Sequence, residues 1–200
     1  MDISKQGAAF DAVAIGASAG GVTALQIVVS ALPRDFPAAV LVVQHLDPRH
    51  KSLLADLLGR RARVTVKEAD DDEPIRPGTV YIAPPDNHFL VANGHVSLTS
   101  SELVHFTRPS VDLLLESVAA AFKERAIGVI LTGSGLDGAT GLRAIKEQGG
   151  TTIVQDPATA DHASMPSNAY ATGCVDFKLG LDEIGPALVR LVQPDGQRGG

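Results

Sequence analysis

Short apolar runs that break off in small or polar residues, each followed by a helical pattern, limit most tightly what this chain can fold into. Ala12 to Ile15, Ala38 to Gln44, Ile127 to Leu131 and Thr151 to Val154 are apolar without alternation, as strands covered on both faces are. Val22 to Leu32, ended by Pro33, and Ala139 to Gln148 carry helical patterns between them. From Pro109 to Arg125, the residues Val111, Leu114, Leu115, Val118, Ala119 and Phe122 fall on one helical stripe. This order predicts an α/β fold: a doubly wound, mostly parallel sheet flanked by helices. Strands are also expected at Val64 to Val66 and Thr79 to Ala83, and helices from about Arg49 to Leu58 and over Leu181 to Val192. Phe89 to Ala92 and Val96 to Thr99 flank Asn93-Gly94, which predicts an antiparallel hairpin near residues 89–99. A loop is expected to carry Met165-Pro166.

With 200 residues the chain suits a single core, placed at residues 1–192, with a polar, glycine-rich and disordered tail over 193–200. No apolar stretch approaches the roughly 18 residues that span a bilayer, and Met1 to Lys5 lacks the features of a signal peptide, so a cytoplasmic protein without membrane insertion is expected. The lone Cys174 cannot form an internal disulfide or build a cysteine metal site. A net charge of −6 argues against general nucleic-acid binding. Arg49, Lys51, Arg60, Arg61 and Arg63 are nevertheless locally basic, which fits a solvated helix face or, as the less common reading, an acidic protein partner. The acidic run Asp70 to Glu73 has no calcium-loop spacing and reads as a solvated loop; no metal or cofactor is expected.

In an open parallel sheet, sites form where strands end. Three junctions here carry a reactive side chain: Ser18 after the first strand, His45 after the second, and Asp137 in Thr132-Gly133-Ser134-Gly135-Leu136-Asp137-Gly138. Gly16-Ala17-Ser18-Ala19-Gly20 fits G-x-S-x-G, a turn that lifts a serine above the sheet. Such a turn also serves phosphate binding or strand–helix packing, but the dinucleotide fingerprint fails at Ser18 and no Gly-Lys-Ser/Thr follows. His45 is either a hydrogen-bonded strand-end histidine or a general base, and a serine on the neighbouring strand favours the base. His50, His88, His95, His105 and His162 compete from loops and helix faces. Asp137 reads as an N-cap of the helix that follows it, or as the carboxylate that orients the histidine. Backbone N–H groups of Ala19, Gly20 and Ser134 are candidate oxyanion donors.

Together these residues carry a resemblance. VAIGASAGG at 13–21, VVQHLDPRH at 42–50, YIAPPDNHF at 81–89, FTRPSVDLLLESVA at 106–119, VILTGSGLDGATGL at 129–142 and MPSNAYATG at 165–173 resemble, in order, the catalytic domain of the CheB chemotaxis methylesterases. The resemblance implies a Ser18, His45, Asp137 triad that hydrolyses glutamate methyl esters on the cytoplasmic helices of chemotaxis receptors, with deamidation of receptor glutamines in some members. Two positions depart from the family's usual residues: Ala19 replaces a threonine and Ser134 a methionine. Members also commonly carry a phosphorylatable receiver domain, which these residues do not include, so three expectations stand: control by a separate regulatory protein, no such control, or a fragment of a longer protein. The alternatives are an esterase with another substrate or a non-catalytic signalling or binding module that keeps the fold.

Overall fold

A computed structural model of the protein describes residues 10–46, 53–104 and 107–193. Its elements follow in chain order as β1 (Ala12–Ala17), α1 (Gly21–Ser30), β2 (Ala39–Gln44), α2 (Leu54–Gly59), β3 (Thr65–Glu68), β4 (Thr79–Ile82), β5 (His88–Ala92), β6 (His95–Thr99), α3 (Val111–Phe122), β7 (Ala126–Ile130), α4 (Ala139–Glu147), β8 (Thr151–Gln155), α5 (Ser164–Ala171), β9 (Phe177–Leu179) and α6 (Leu181–Val192).

Seven strands form one parallel sheet in the order β3-β4-β2-β1-β7-β8-β9. Alternate residues of β1 feed two cores because side chains alternate across a strand. Val13 and Ile15 pack with Leu25 and Val28 of α1, Leu58 of α2 and Leu188 of α6. Ala12 and Ala14 join Leu114 and Val118 of α3, Leu142 of α4 and Phe89 of the hairpin. The small residues on that second face let α3 come close: a Cβ at Gly16 would lie 2.2 Å from Val111 Cγ1. The hairpin β5–β6 stands apart as a two-stranded antiparallel sheet, and its Asn93-Gly94 turn has φ of 51° and 77° at the two residues, as the tight hairpin turn requires.

Because β1 lies between β2 and β7, the chain leaves it to opposite sides of the sheet. The crevice at such a switch point, at the carboxyl ends of the strands, is where doubly wound folds bind ligands. Ser18 and His45 follow β1 and β2 there, and Thr132 to Gly138 follow β7.

The helix expected from Arg49 begins at Leu54; residues 49–52 lie outside the described residues, as does 194–200 of the expected tail. The segment around Met165-Pro166 is not a loop but the start of α5. Pro166 sits in the first turn, where its missing N–H costs no helix bond. Strand β9 has no counterpart in the sequence pattern: it is short, lies at the sheet edge, and exposes Phe177 and Lys178. Among the described residues no helix is long and apolar enough to cross a membrane.

Candidate active site

Strand register sets the first two side chains beside each other. In the β1–β2 pair Ala17 lies opposite Gln44, so Ser18 and His45 continue adjacent strands at the same edge. The two backbones run about 4.8 Å apart, and His45 N–H donates to Ala17 O at 3.1 Å, continuing the ladder. Gln44 then ties the junction together. Its Nε2 donates to Ser18 O at 2.8 Å and to His45 O at 2.9 Å, so one buried amide fixes both carbonyls.

The turn after Ser18 is closed by Gly21 N–H donating to Ser18 O at 2.8 Å, with Gly20 in the left-handed region at φ 76°. The Ser18 N–H donates to Thr132 O at 3.0 Å, and Thr132 Oγ1 lies 3.1 Å from Ala19 O. Gly133 approaches so closely that a Cβ there would lie 2.8 Å from Ser18 Cβ. The N–H groups of Ser18, Gly21 and Gly133 are thus spent inside the fold, the last on His162 O at 3.0 Å. Those of Ala19, Gly20 and Ser134 make no intramolecular hydrogen bond among the described residues. Ser18, Ala19 and Gly20 are half-buried and Ser134 is exposed.

His45 Nε2 lies 3.0 Å from Asp137 Oδ2, with side-chain exposures of 16% and 4%. A carboxylate can only accept, so Nε2 carries the proton and Nδ1 keeps the lone pair of the neutral ring. No hydrogen bond joins Ser18 Oγ to this ring among the described residues; such contacts commonly tighten only when substrate is bound.

Asp137 does not cap the helix that follows it. The N-cap of α4 is Gly138, at φ 99°, while the Asp137 carboxylate caps α3. Oδ2 accepts from Val111 N at 2.7 Å, and Oδ1 from Asp112 N at 2.9 Å and Ser110 Oγ at 3.0 Å; Thr107 Oγ1 lies 3.2 Å from Oδ2. Asp112 answers from α3 by accepting, through Oδ1, from Gly138 N at 2.9 Å and Gly141 N at 2.7 Å. Two buried aspartates therefore cap each other's helices. Burial raises the Asp137 pKa, but the hydrogen bonds from His45 and from the N–H groups of Asp112 and Val111, with the nearby imidazole charge, outweigh it and hold the carboxyl below its ordinary range. Asp137 is thereby held as an anion against the imidazole.

The other histidines take different places. His88 is neither in a loop nor on a helix face: it is buried on β5, accepting from Ser110 N at 3.1 Å through Nδ1 and donating to Glu102 O at 2.9 Å through Nε2. It buttresses the residue that bonds Asp137. His95 bonds Asn93 O, and His162 is exposed; His50 and His105 lie outside the described residues. In the acidic loop, Lys67 binds Asp70 and Glu73, and Asp71 accepts from Leu98 N. Gln44, Asp112 and Thr132 are functional neighbours that sequence reasoning passed over, while Ser110, read there as a turn or cap residue, is the N-cap of α3. Each is a buried polar residue at a strand or helix end, and burial obliges such groups to find partners.

A family model described as CheB methylesterase matches residues 13–188. A chain from Leptospira interrogans is 40% identical over 185 residues, spanning 92% of this chain and 96% of its own length. A protein-glutamate methylesterase/protein-glutamine glutaminase of Thermotoga maritima is 39% identical over 196 residues, 96% of this chain and 57% of that protein. Protein-glutamate methylesterase FrzG of Myxococcus xanthus is 43% identical over 90% of this chain and 54% of its own. The chain thus spans little more than half of the longer relatives. The crystal structure of the Thermotoga maritima CheB methylesterase catalytic domain superposes with a TM-score of 0.87 at 40% identity, covering 92% of this chain and 99% of that one.

Proposed function

The chain belongs to the CheB methylesterase family and is a protein-glutamate methylesterase, and we propose that it works through Ser18, His45 and Asp137. The observation that carries the assignment is the His45–Asp137 pair, 3.0 Å apart, set one strand over from a serine on a G-x-S-x-G turn. Ser18 Oγ attacks the ester carbonyl while His45 Nδ1 takes its proton. The tetrahedral oxyanion is met by N–H groups of Ala19, Gly20 and Ser134, which the fold leaves unspent. The imidazolium, stabilised by the Asp137 anion, returns the proton to the leaving methoxide and methanol departs. Water, deprotonated by His45, then attacks the acyl-enzyme and frees the glutamate and Ser18.

The substrate in this reading is a methylated glutamate on the cytoplasmic helices of a chemotaxis receptor, and the protein works in the cytoplasm. Relatives carry the second name protein-glutamine glutaminase, and the same steps act on a receptor glutamine with ammonia leaving instead of methanol. Every group these steps require is a residue of the chain, so neither metal nor organic cofactor enters them. Residues 1–192 are taken in this reading as the catalytic domain. The backbone N–H groups of Ala19 and Ser134 serve the oxyanion whatever side chain they carry, while the side chains bear on contacts with the substrate.

Hydrolysis of a methylated receptor fragment tests the assignment. Wild type should release methanol, whereas Ser18→Ala and His45→Ala should fall by about 10⁶. Retention of activity in either variant would rule out this triad.

A further inference from the structure

The proposed triad and its oxyanion donors lie at the carboxyl ends of the parallel strands. The amino ends carry a different chemistry. The connections entering β2, β3 and β4 bear Arg34, then Arg60, Arg61 and Arg63, then Arg76. Parallel pairing with Thr65 opposite Thr79, and Val40 opposite Val80, brings these connections to one edge. A cleft of about 390 Å³ opens there, lined by Arg34, Arg63, Val64, Thr65 and Gly78. Its floor is backbone and apolar surface held in place by Thr65 N–H donating to Gly78 O at 3.2 Å and Gly78 N–H to Ala38 O at 3.0 Å. Gly78 turns at φ 72°, a conformation that favours glycine.

The arginines are notable for what they lack. None of them forms an ion pair within 4.0 Å among the described residues, although Asp35 and Asp56 are close in sequence. Elsewhere the chain pairs such groups: Arg125, also at the amino ends, bonds Asp11 at 2.5 Å, and Arg108 bonds Asp86. In a protein of net charge −6, so many guanidiniums left together without carboxylates form a local positive field.

We propose that this cleft binds an acidic segment of a protein partner, with carboxylate side chains taken between Arg34 and Arg63. Guanidinium forks match carboxylates in bidentate geometry, and the methylene groups of Glu or Asp rest on the Val64–Gly78 floor. A long nucleic acid would also face the chain's negative remainder, and a flat headgroup layer leaves a concavity unfilled. The six residues of β2 separate the cleft from His45 by roughly 20 Å at 3.3 Å per residue. A partner held there leaves Ser18 open, so the site recruits rather than blocks.

The test uses the full chain and fluorescein-labelled hexaglutamate, with hexaglutamine as the neutral control, followed by fluorescence anisotropy. Hexaglutamate should bind, weaken as salt rises, and lose at least about tenfold in affinity in Arg34→Ala/Arg63→Ala. The exposed Arg143→Ala on α4 should bind as wild type does, and Arg63→Lys should keep part of the affinity. Hydrolysis of a small soluble ester should be equal in wild type and the double variant, which shows that the fold is intact. Absence of hexaglutamate binding, equal affinity in the double variant, or equal binding of hexaglutamine would overturn the proposal. So would tighter, Arg34- and Arg63-dependent binding of phosphatidylglycerol vesicles or of an RNA oligonucleotide, since the occupant would then be of another class.

Discussion

Two glycine-rich junctions of similar composition, Gly16 to Gly21 after β1 and Thr132 to Gly138 after β7, are built in opposite ways. The first holds its shape with backbone bonds and the Gln44 amide, and keeps the N–H groups of Ala19 and Gly20 unspent beside a half-buried serine. The second turns its acid inward, where Asp137 gathers bonds from His45, Val111, Asp112 and Ser110. Glycine permits close approach at both, by Val111 of α3 at Gly16 and by Ile130 and the same Val111 at Gly138; what differs is the polar groups, left unspent at the first and filled at the second. A nucleophile needs vacancy around it, and an orienting carboxylate needs saturation.

Short of removing Ser18 or His45 itself, breaking the saturated junction should have the largest effect. Asp137→Asn keeps the shape but replaces the acceptor of the His45 proton and should lower kcat by about 10⁴ with KM little changed, measured on a methylated receptor fragment. Asp112→Ala should come next. It strands the N–H groups of Gly138 and Gly141 in the interior, at about 1–3 kcal/mol each, and lets the Asp137 loop move; a urea titration with kcat on the same sample reads both. Asp112→Asn retains an acceptor oxygen and should recover much of that loss. On the vacant junction, Gln44→Met removes the bonds to the Ser18 and His45 carbonyls and should cost about 1–3 kcal/mol of stability and about tenfold in kcat.

Acid stability sharpens the contrast further. The Asp137 carboxyl sits below its ordinary value of about 3.9, so its stabilising contribution is complete above that pH and is lost as pH falls through the depressed value. Asp137→Asn should therefore flatten the acid limb of a stability–pH curve, whereas Ser18→Ala should leave it unchanged. The smallest effect belongs to Glu116 on α3, which burial and the charges of Asp112 and Asp137 push up. Its raised pKa makes the ionised form unfavourable in the fold, so Glu116→Gln should stabilise the protein by a few tenths of a kcal/mol above the ordinary glutamate range, after screening at an exposed site. Thermal melts at neutral and acid pH would show it.

The addresses of Ser18, His45 and Asp137 were legible because strand ends in a parallel sheet converge, and the apolar runs marked those ends. The sheet and the Asn93-Gly94 hairpin followed from the same patterns. The partner of Asp137 was not legible. Capping by the next helix has a fixed sequence spacing, whereas capping of α3, more than twenty residues upstream, depends on how α3 and α4 pack, and no local signal records that. Gln44 gave a usable signal: a polar residue closing a wholly buried strand must satisfy its amide somewhere. Strand β9 escaped notice because its three residues, Phe177 to Leu179, are too few to show a period, and α5 because Pro166 in its first turn reads as a loop.

Methanol release from a methyl-esterified receptor fragment, measured in parallel with binding of that fragment, tests the central claim most directly. Wild type should release methanol, and Ser18→Ala should bind the fragment equally well while releasing none above background. Equal release by the two proteins, or binding without release by wild type, would contradict a serine nucleophile at the end of β1.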